Sequence, residues 1–435
     1  MSTRHAVAGA PHGVRGPPLR DGPFASTPYN QPLDMSLGGW IPDRPDQLAD
    51  WIDKILKELR KHKEIKNPAV IGFKNAIESD PELFMGFHRL FDSVPESDPL
   101  GRPQVKDYLT MLKCFDRFVN DAPEYDPDFL VFLPFTAVMQ WPMSMSNGFT
   151  ILINRTVNDQ FRNIFAVWSK YLSSPDSTWV LTENAKGWLG EAAMQNMPGF
   201  IDLFVCDPNL PHWGFTSWDS FFARRLRDNA RPVEYPDDST YIASACESKV
   251  LRYRTKVNAT DTFWFKDSQP YSLVHMLADP LANSFIGGTV YQAFLSPYYY
   301  HRWHAPVSGT IVKALVVEGT YFAGIPEDSL PSSDFVAFQG QQPFLTHVAT
   351  RALIFILADD PRIGLMCFIG VGMVEVSSCD ITVHAGQRVQ KGDDIGSFHF
   401  GGSTHALVFG PQVKLQFLKE EGDYVNVRSA CAKLV

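Results

Sequence analysis

The chain reads as an α+β protein, a helical N-terminal domain followed by a mainly β domain. Three observations predict this. From Pro45 to about residue 206, apolar residues recur at helical spacing. Beyond about residue 235, short β-branched and apolar runs alternate with Gly, Asp and Pro. Ahead of both, residues 1–44 are rich in Gly, Pro and Arg, the composition of a disordered tail.

The tail carries Arg4, Arg15 and Arg20, which suit a mitochondrial presequence. Its run Gly13-Val14-Arg15-Gly16-Pro17-Pro18 opposes the amphipathic helix such a signal needs. It has no apolar core of the secretory kind, and the expectation is a cytoplasmic protein. The helical domain, 45–206, opens at Pro45-Asp46, followed by Leu48, Trp51, Ile52, Ile55, Leu56 and Leu59. Further helical patterns cover 68–93, 104–121, 155–173 and 188–205, with breaks or caps at Asp80-Pro81, Asp92-Ser93 and Pro175-Asp176. The most apolar stretch, 129–142, is interrupted by Pro134, Gln140 and Pro142, so no transmembrane span is expected. The boundary falls in Asp207-Pro208-Asn209-Leu210-Pro211 or later at Arg231-Pro232. In the second domain, 207–435, strands are expected at Thr310–Val317, Ala352–Leu357 and Gly364–Ile369, with a tight turn in Gly386–Asp393.

Composition narrows the function classes. With 45% hydrophobic and 20% charged residues, 435 residues can bury a substantial core. A net charge of −9 argues against a nucleic-acid partner, whose binding surfaces are strongly basic. The basic run Lys57–Lys63 has acidic neighbours and reads as a solvated helix face. Six cysteines are scattered without a CxxC pair, as in a cytosolic protein with reduced thiols and no zinc site.

Three segments carry chemistry. Near the end lies Gly396-Ser397-Phe398-His399-Phe400-Gly401-Gly402-Ser403-Thr404. Alone, a glycine pair before a hydroxyl residue is an ordinary loop. It also suits self-cleavage, because glycine opens backbone conformations closed to other residues and unmasks the carbonyl. The Ser403 hydroxyl can attack the Gly402 carbonyl; elimination of the resulting ester and hydrolysis then leave a pyruvoyl group. The second segment is Tyr300-His301-Arg302-Trp303-His304-Ala305-Pro306. Its histidines lack the acidic or Cys partner a metal pair would need, and no metal is expected. They titrate near neutrality and can move protons, or they can simply be packed in the core. The third is Ser244-Ala245-Cys246-Glu247-Ser248, whose acid either orients a histidine beside a serine or caps a strand.

In collinear order over residues 213–435, these segments resemble the phosphatidylserine decarboxylase family of pyruvoyl enzymes. Phe221-Phe222-Ala223-Arg224-Arg225-Leu226, Ala230-Arg231-Pro232-Val233, Tyr271-Ser272-Leu273 and Leu295-Ser296-Pro297 join them, as does Val389–Gly396. The resemblance implies a phosphatidylserine-decarboxylase-like catalytic domain in 207–435, made as a zymogen and cleaved autocatalytically between Gly402 and Ser403. It makes Ser403 the precursor of the covalent pyruvoyl cofactor, the Schiff-base centre for the substrate amine, and Gly402 the cleaved carbonyl. It makes His304 the self-cleavage base and His301 the proton donor of decarboxylation. Glu247 stands where the family has aspartate, as the orienting acid.

The chain is similar in particular to a soluble fungal branch with a helical extension, which includes a tryptophan decarboxylase. Ala76–Pro81, Ala245–Ser248 and Phe398–Ser403 carry that likeness. It implies a carboxy-lyase acting on a small amino acid, most simply L-tryptophan to tryptamine. One alternative is conversion of phosphatidylserine to phosphatidylethanolamine; the other is an uncleaved, non-catalytic binding protein. The cleaved short chain is expected to stay associated through strands at Ala406–Phe409 and Val413–Phe417 in the sheet of the long chain. Nothing in the sequence sets an oligomeric state.

Overall fold

In the computed structural model, the described residues are 39–435 apart from 43, 62–63, 93, 95, 98–100, 262–270, 325–341, 377 and 402. They belong to one compact unit. Most of the stretch read as a disordered tail, and Gly402, lie outside them. The tail reading ends too late, however. Trp40 and Ile41 are buried at 3% and 1% exposure, two large side chains that the Gly/Pro-rich composition around them obscured.

Proline or a short polar cap marks the start of several helices. α1 (Pro45–Leu59) begins at the expected proline. Pro81 splits the 68–93 pattern into α2 (Pro68–Ser79) and α3 (Pro81–Asp92), and the Asp80 carboxylate accepts from the Glu82 and Leu83 N–H groups. Asp107 and Asn154 likewise cap α4 (Tyr108–Phe118) and a later helix, α7. Between them lie α5 (Pro134–Ser144) and α6 (Ser146–Leu152), and α7 spans Arg155–Leu172. α5 was not legible, because its prolines read as interruptions. Pro134 instead occupies the first turn, where its missing N–H costs nothing, and Pro142 is carried near the end. The 188–205 pattern yields only α8 (Glu191–Gln195) and α9 (Phe200–Leu203), separated at Gly199 with φ 72°. A further short helix, α10 (Trp218–Phe222), follows. Aromatic rings fill this half: Phe73 lies 5.1 Å from Phe161, and Phe135 lies 4.9 Å from Trp168.

The second half contributes α11 (Leu273–Leu277) and the strands β1 (Tyr241–Ala243), β2 (Ser248–Thr255), β3 (Thr289–Leu295) and β4 (Arg302–His304). These continue as β5 (Gly309–Val317), β6 (Arg351–Ala358), β7 (Leu365–Gly372), β8 (Cys379–Ile381) and β9 (Arg388–Val389). The last are β10 (Asp394–Phe398), β11 (Ser403–Phe409), β12 (Leu415–Phe417), β13 (Tyr424–Val425) and β14 (Ala430–Leu434). Among the described residues, one sheet runs β13-β2-β3-β11-β7-β6-β5-β9 and two smaller ones run β4-β10-β8 and β1-β14-β12. The three expected strands appear as β5, β6 and β7.

One face of the large sheet packs with α11 around Leu273, Met276, Phe355, Ile369, Ala406 and Val408. Each such large apolar side chain contributes roughly 1.5–3 kcal/mol by leaving water. The opposite face receives Trp303. A Cβ on Gly370 would lie 2.9 Å from that indole, so only glycine lets β4 approach β7 this closely.

Residues 403–435 are threaded through the rest of the chain. β11 is buried along its whole length and paired on both sides, with β3 and β7. β13 pairs with β2, while β12 and β14 join β1 in a separate sheet. The expectation of a single shared sheet therefore holds for β11 and is corrected for β12.

Candidate active site

Ser403 is the first residue of β11, opposite Leu295 on one side and Gly372 on the other. It is 2% exposed, and its hydroxyl has no hydrogen-bond partner among the described residues. Burying a hydroxyl in that way costs about 1–3 kcal/mol, and a catalytic role is one recognised reason for bearing such a cost. The chain leaves β10, in a small sheet, at Phe398 and enters β11, in the large one, at Ser403. Gly401 makes that crossing at φ 116°, a conformation that explains the first glycine of the pair.

His304 sits at the end of β4 with both ring nitrogens engaged. Nδ1 meets the Gly392 carbonyl at 2.9 Å and Nε2 meets the Tyr300 hydroxyl at 2.9 Å. A carbonyl only accepts, so Nδ1 carries the hydrogen and Nε2 is the basic nitrogen, accepting from Tyr300. Burial, aided by the Arg428 charge, pushes the imidazole down to about 4. It is neutral near pH 7, the form a general base requires.

His301 is fully buried and its two ring nitrogens have no partner among the described residues. Its ring stacks on Phe222 at 4.0 Å and meets the edge of Trp40 at 5.9 Å. Burial and then the Arg224 charge hold it well below the usual histidine range. The Arg224 guanidinium donates to the Tyr298 and Tyr299 carbonyls at 2.7 Å each, fixing the approach to His301. The Phe221–Leu226 segment thus supplies both the stacking ring and the tether.

Trp40 ties these groups to Ser403. Its indole N–H donates to the carbonyl of Leu295, the strand partner of Ser403, at 3.0 Å. Its ring also meets Phe222 and Phe400. Ser296 and Gln342 add buried side-chain atoms without partners among the described residues. The Gln342 carbonyl accepts from Gln292, which also donates to the Thr404 hydroxyl. Ser403, His301, Ser296 and Gln342 are groups that a polar ligand can satisfy.

Glu247 does not join this set. Its carboxylate accepts from Arg231 twice at 3.2 Å and from the Tyr424 hydroxyl, whereas the His304 nitrogen that an orienting acid would hold is on a carbonyl. The triad reading is corrected accordingly: Glu247 pins β13 and the Arg231 segment to the start of β2. The pair is buried, at 1% exposure for Glu247 and 10% for Arg231. Removing one partner of a buried pair costs about 3–5 kcal/mol. Glu247→Gln is therefore expected to lower the melting temperature while folded molecules mature at the wild-type rate. Slow maturation at an unchanged melting temperature would return Glu247 to the triad.

Glu375 is a buried acid that sequence reasoning missed; its signal was a single carboxylate in the apolar stretch after β7. It accepts from the Phe135 and Thr136 N–H groups at 3.2 and 3.3 Å and from the Thr136 hydroxyl, at the start of α5. It thereby fastens the helical half behind Gly372, the other strand partner of Ser403. Burial lifts it from its ordinary 4.5 to about 7 against those hydrogen bonds. Between these values the unfolded chain releases a proton that the folded chain keeps, so this group's contribution falls as pH rises. The full effect is about 3 kcal/mol. Glu375→Gln is expected to flatten the pH dependence of the unfolding midpoint across that window.

Ser403 and the Gly401 turn fit a pyruvoyl precursor: a hydroxyl without a partner among the described residues stands at the head of a fixed strand. Among the described residues Ser403 has no hydrogen bond to His304, whose Nε2 is held by Tyr300.

Comparison with known proteins agrees with this architecture in both halves. A family model described as phosphatidylserine decarboxylase matches residues 218–433, and another bearing that description matches 67–197. The chain is 41% identical over 320 residues to decarboxylase iboD of Amanita muscaria, covering 69% of this chain and 91% of that one. It is 35% identical to an L-tryptophan decarboxylase of Psilocybe cubensis, over 83% of this chain and 85% of that one. Phosphatidylserine decarboxylase proenzyme 3 of Schizosaccharomyces pombe is 30% identical, over 49% of this chain and 21% of its own length. The two family matches fall on the helical half and on the sheet that carries Ser403, and the chain belongs to the phosphatidylserine decarboxylase family.

Proposed function

We propose that the chain is a self-processing, pyruvoyl-dependent decarboxylase of aromatic L-amino acids, converting L-tryptophan to tryptamine. Residues 45–206 form its helical part and 207–435 its catalytic part, and it works in the cytoplasm. The observation that carries this reading is the Ser403 hydroxyl at the head of β11, behind a glycine turn and without a hydrogen-bond partner among the described residues.

In maturation the Ser403 hydroxyl adds to the Gly402 carbonyl, the peptide C–N bond breaks, and the freed amine takes the proton. Elimination then releases the Gly402 carboxylate and leaves dehydroalanine at 403, whose hydrolysis gives pyruvoyl and ammonia. His304 is the base for these transfers, its Nε2 lone pair, which accepts from Tyr300 in the resting chain, turning to the Ser403 hydroxyl as maturation begins. The pyruvoyl group, once formed, supplies a carbonyl that condenses with the substrate amine and accepts the electrons left by carbon dioxide. His301 handles the product proton. It is neutral before substrate arrives; a carboxylate entering beside it favours its protonated form, which then donates. The aromatic walls of Trp40, Phe222 and Phe400 keep water from that transfer.

The relative named for L-tryptophan aligns over most of both chains, which favours an amino acid over a phospholipid. No helix among the described residues is long and apolar enough to cross a membrane. Carbon dioxide release from tryptophan, phenylalanine, tyrosine and phosphatidylserine vesicles, measured side by side, tests the assignment. Turnover is expected with tryptophan. Activity confined to the vesicles would make it a phospholipid enzyme, and no activity with an intact chain would make it a binding protein.

A further inference from the structure

The segment before the scissile bond is held at three consecutive residues. Phe398 ends β10, its N–H donating to the His301 carbonyl at 2.9 Å. The next residue, His399, turns its ring onto α10, where Nδ1 lies 2.9 and 3.0 Å from the two carboxylate oxygens of Asp219. Its Nε2 lies 3.8 Å from the Asp380 carboxylate of β8. Phe400 is buried among Trp40, Trp168, Trp218 and Phe222. Two anchors, one charged and one apolar, therefore bind 399–400 to the helix whose last residue stacks on His301. Only Gly401 and Gly402 then separate this fixed point from Ser403.

We propose that His399 and Asp219 form an ionic latch that positions the Gly402 carbonyl for attack by Ser403. The inference rests on reading Ser403 as the self-cleaving residue. Glycine at 401 and 402 gives the carbonyl freedom to take up the attack geometry, and the same freedom would let it wander. A latch beside the glycines limits the search, and orientation of this kind is worth large factors in rate. His399 is a positioning residue, not a catalytic one.

The latch has a charge dependence. The groups facing the imidazole are Asp219 from α10, Asp380 from β8 and, opposing them, Arg302 from β4. The hydrogen bond that His399 donates to Asp219 raises the histidine above its ordinary 6.5, with burial working against it. The ion pair is thus complete below that ordinary value and fades as pH rises through the raised one.

The test follows maturation of freshly translated full-length chain by the appearance of the short fragment. His399→Ala and Asp219→Asn are each expected to lengthen the half-time about 10- to 100-fold, the scale of a misplaced reacting group. The double variant should be no slower than either alone, and His399→Lys, which can still pair with Asp219, should recover part of the rate. The ratio of wild-type to His399→Ala rates should shrink between about pH 6 and about pH 9, as the imidazole loses its charge. Wild-type half-times in both single variants, with Ser403→Ala still uncleaved, would sink the latch and leave the Ser403 reading standing. Slow maturation with a pH-independent ratio and no rescue by lysine would also overturn it, leaving His399 a packing role. Cleavage of Ser403→Ala would instead sink the reading beneath it.

Discussion

Ser403→Ala is expected to remain a single 48.9 kDa chain with no decarboxylase activity. Two losses coincide in that variant, since the hydroxyl that opens the peptide bond is also the precursor of the reactive carbonyl. Loss of a lone nucleophile costs about 10⁶-fold in well-studied hydrolases, and here no second route to the carbonyl exists. The variant should fold at least as stably as the unprocessed serine chain. The wild-type hydroxyl is buried without a partner among the described residues, and deleting such a group removes an unmet desolvation cost of about 1–3 kcal/mol. An unchanged or higher melting temperature in an inactive chain therefore separates lost chemistry from lost folding. An active, cleaved Ser403→Ala protein would refute the assignment.

The second large effect divides the two histidines. His301→Gln keeps a polar side chain in the place of the ring but cannot carry a proton. It should mature and then turn over about 10²- to 10⁴-fold more slowly, the usual contribution of a positioned acid or base. His304→Ala should act earlier, on the appearance of the short chain, because it removes the basic Nε2. Single-turnover carbon dioxide release from matured protein, set beside gel-based maturation rates, separates the steps. Normal maturation of the His304 variant would remove it from self-cleavage. Normal turnover of the His301 variant would move the proton transfer to another group.

Much of this was legible in the sequence, for identifiable reasons. Residues that act through the backbone or through one short segment left local signals, as with Pro81 ending a helix and Gly401 before Ser403. The order of chemistry-bearing segments gave the family because each lies on a β strand or at its end. Contacts across the chain left no such mark. Trp40 stands in a Gly/Pro-rich stretch, and its part is clear only where its indole meets Leu295 some 255 residues away. The Glu247 role failed for a related reason. Position in a motif suggested an orienting acid, but Arg231 and Tyr424 compete for that carboxylate, and nothing local predicts either contact. Glu375 was invisible because its partners are backbone N–H groups of a helix that prolines disguised.

The central claim is that residue 403 changes from serine to pyruvoyl, and the mass of the short fragment reads that change directly. Purified protein, denatured and measured intact, should yield fragment 403–435 lighter by one ammonia than the unmodified peptide. Treatment with borohydride should then add two hydrogens at its carbonyl. A fragment of unmodified mass would mean simple proteolysis, and a single intact chain would mean that no self-processing occurs; either result contradicts the account.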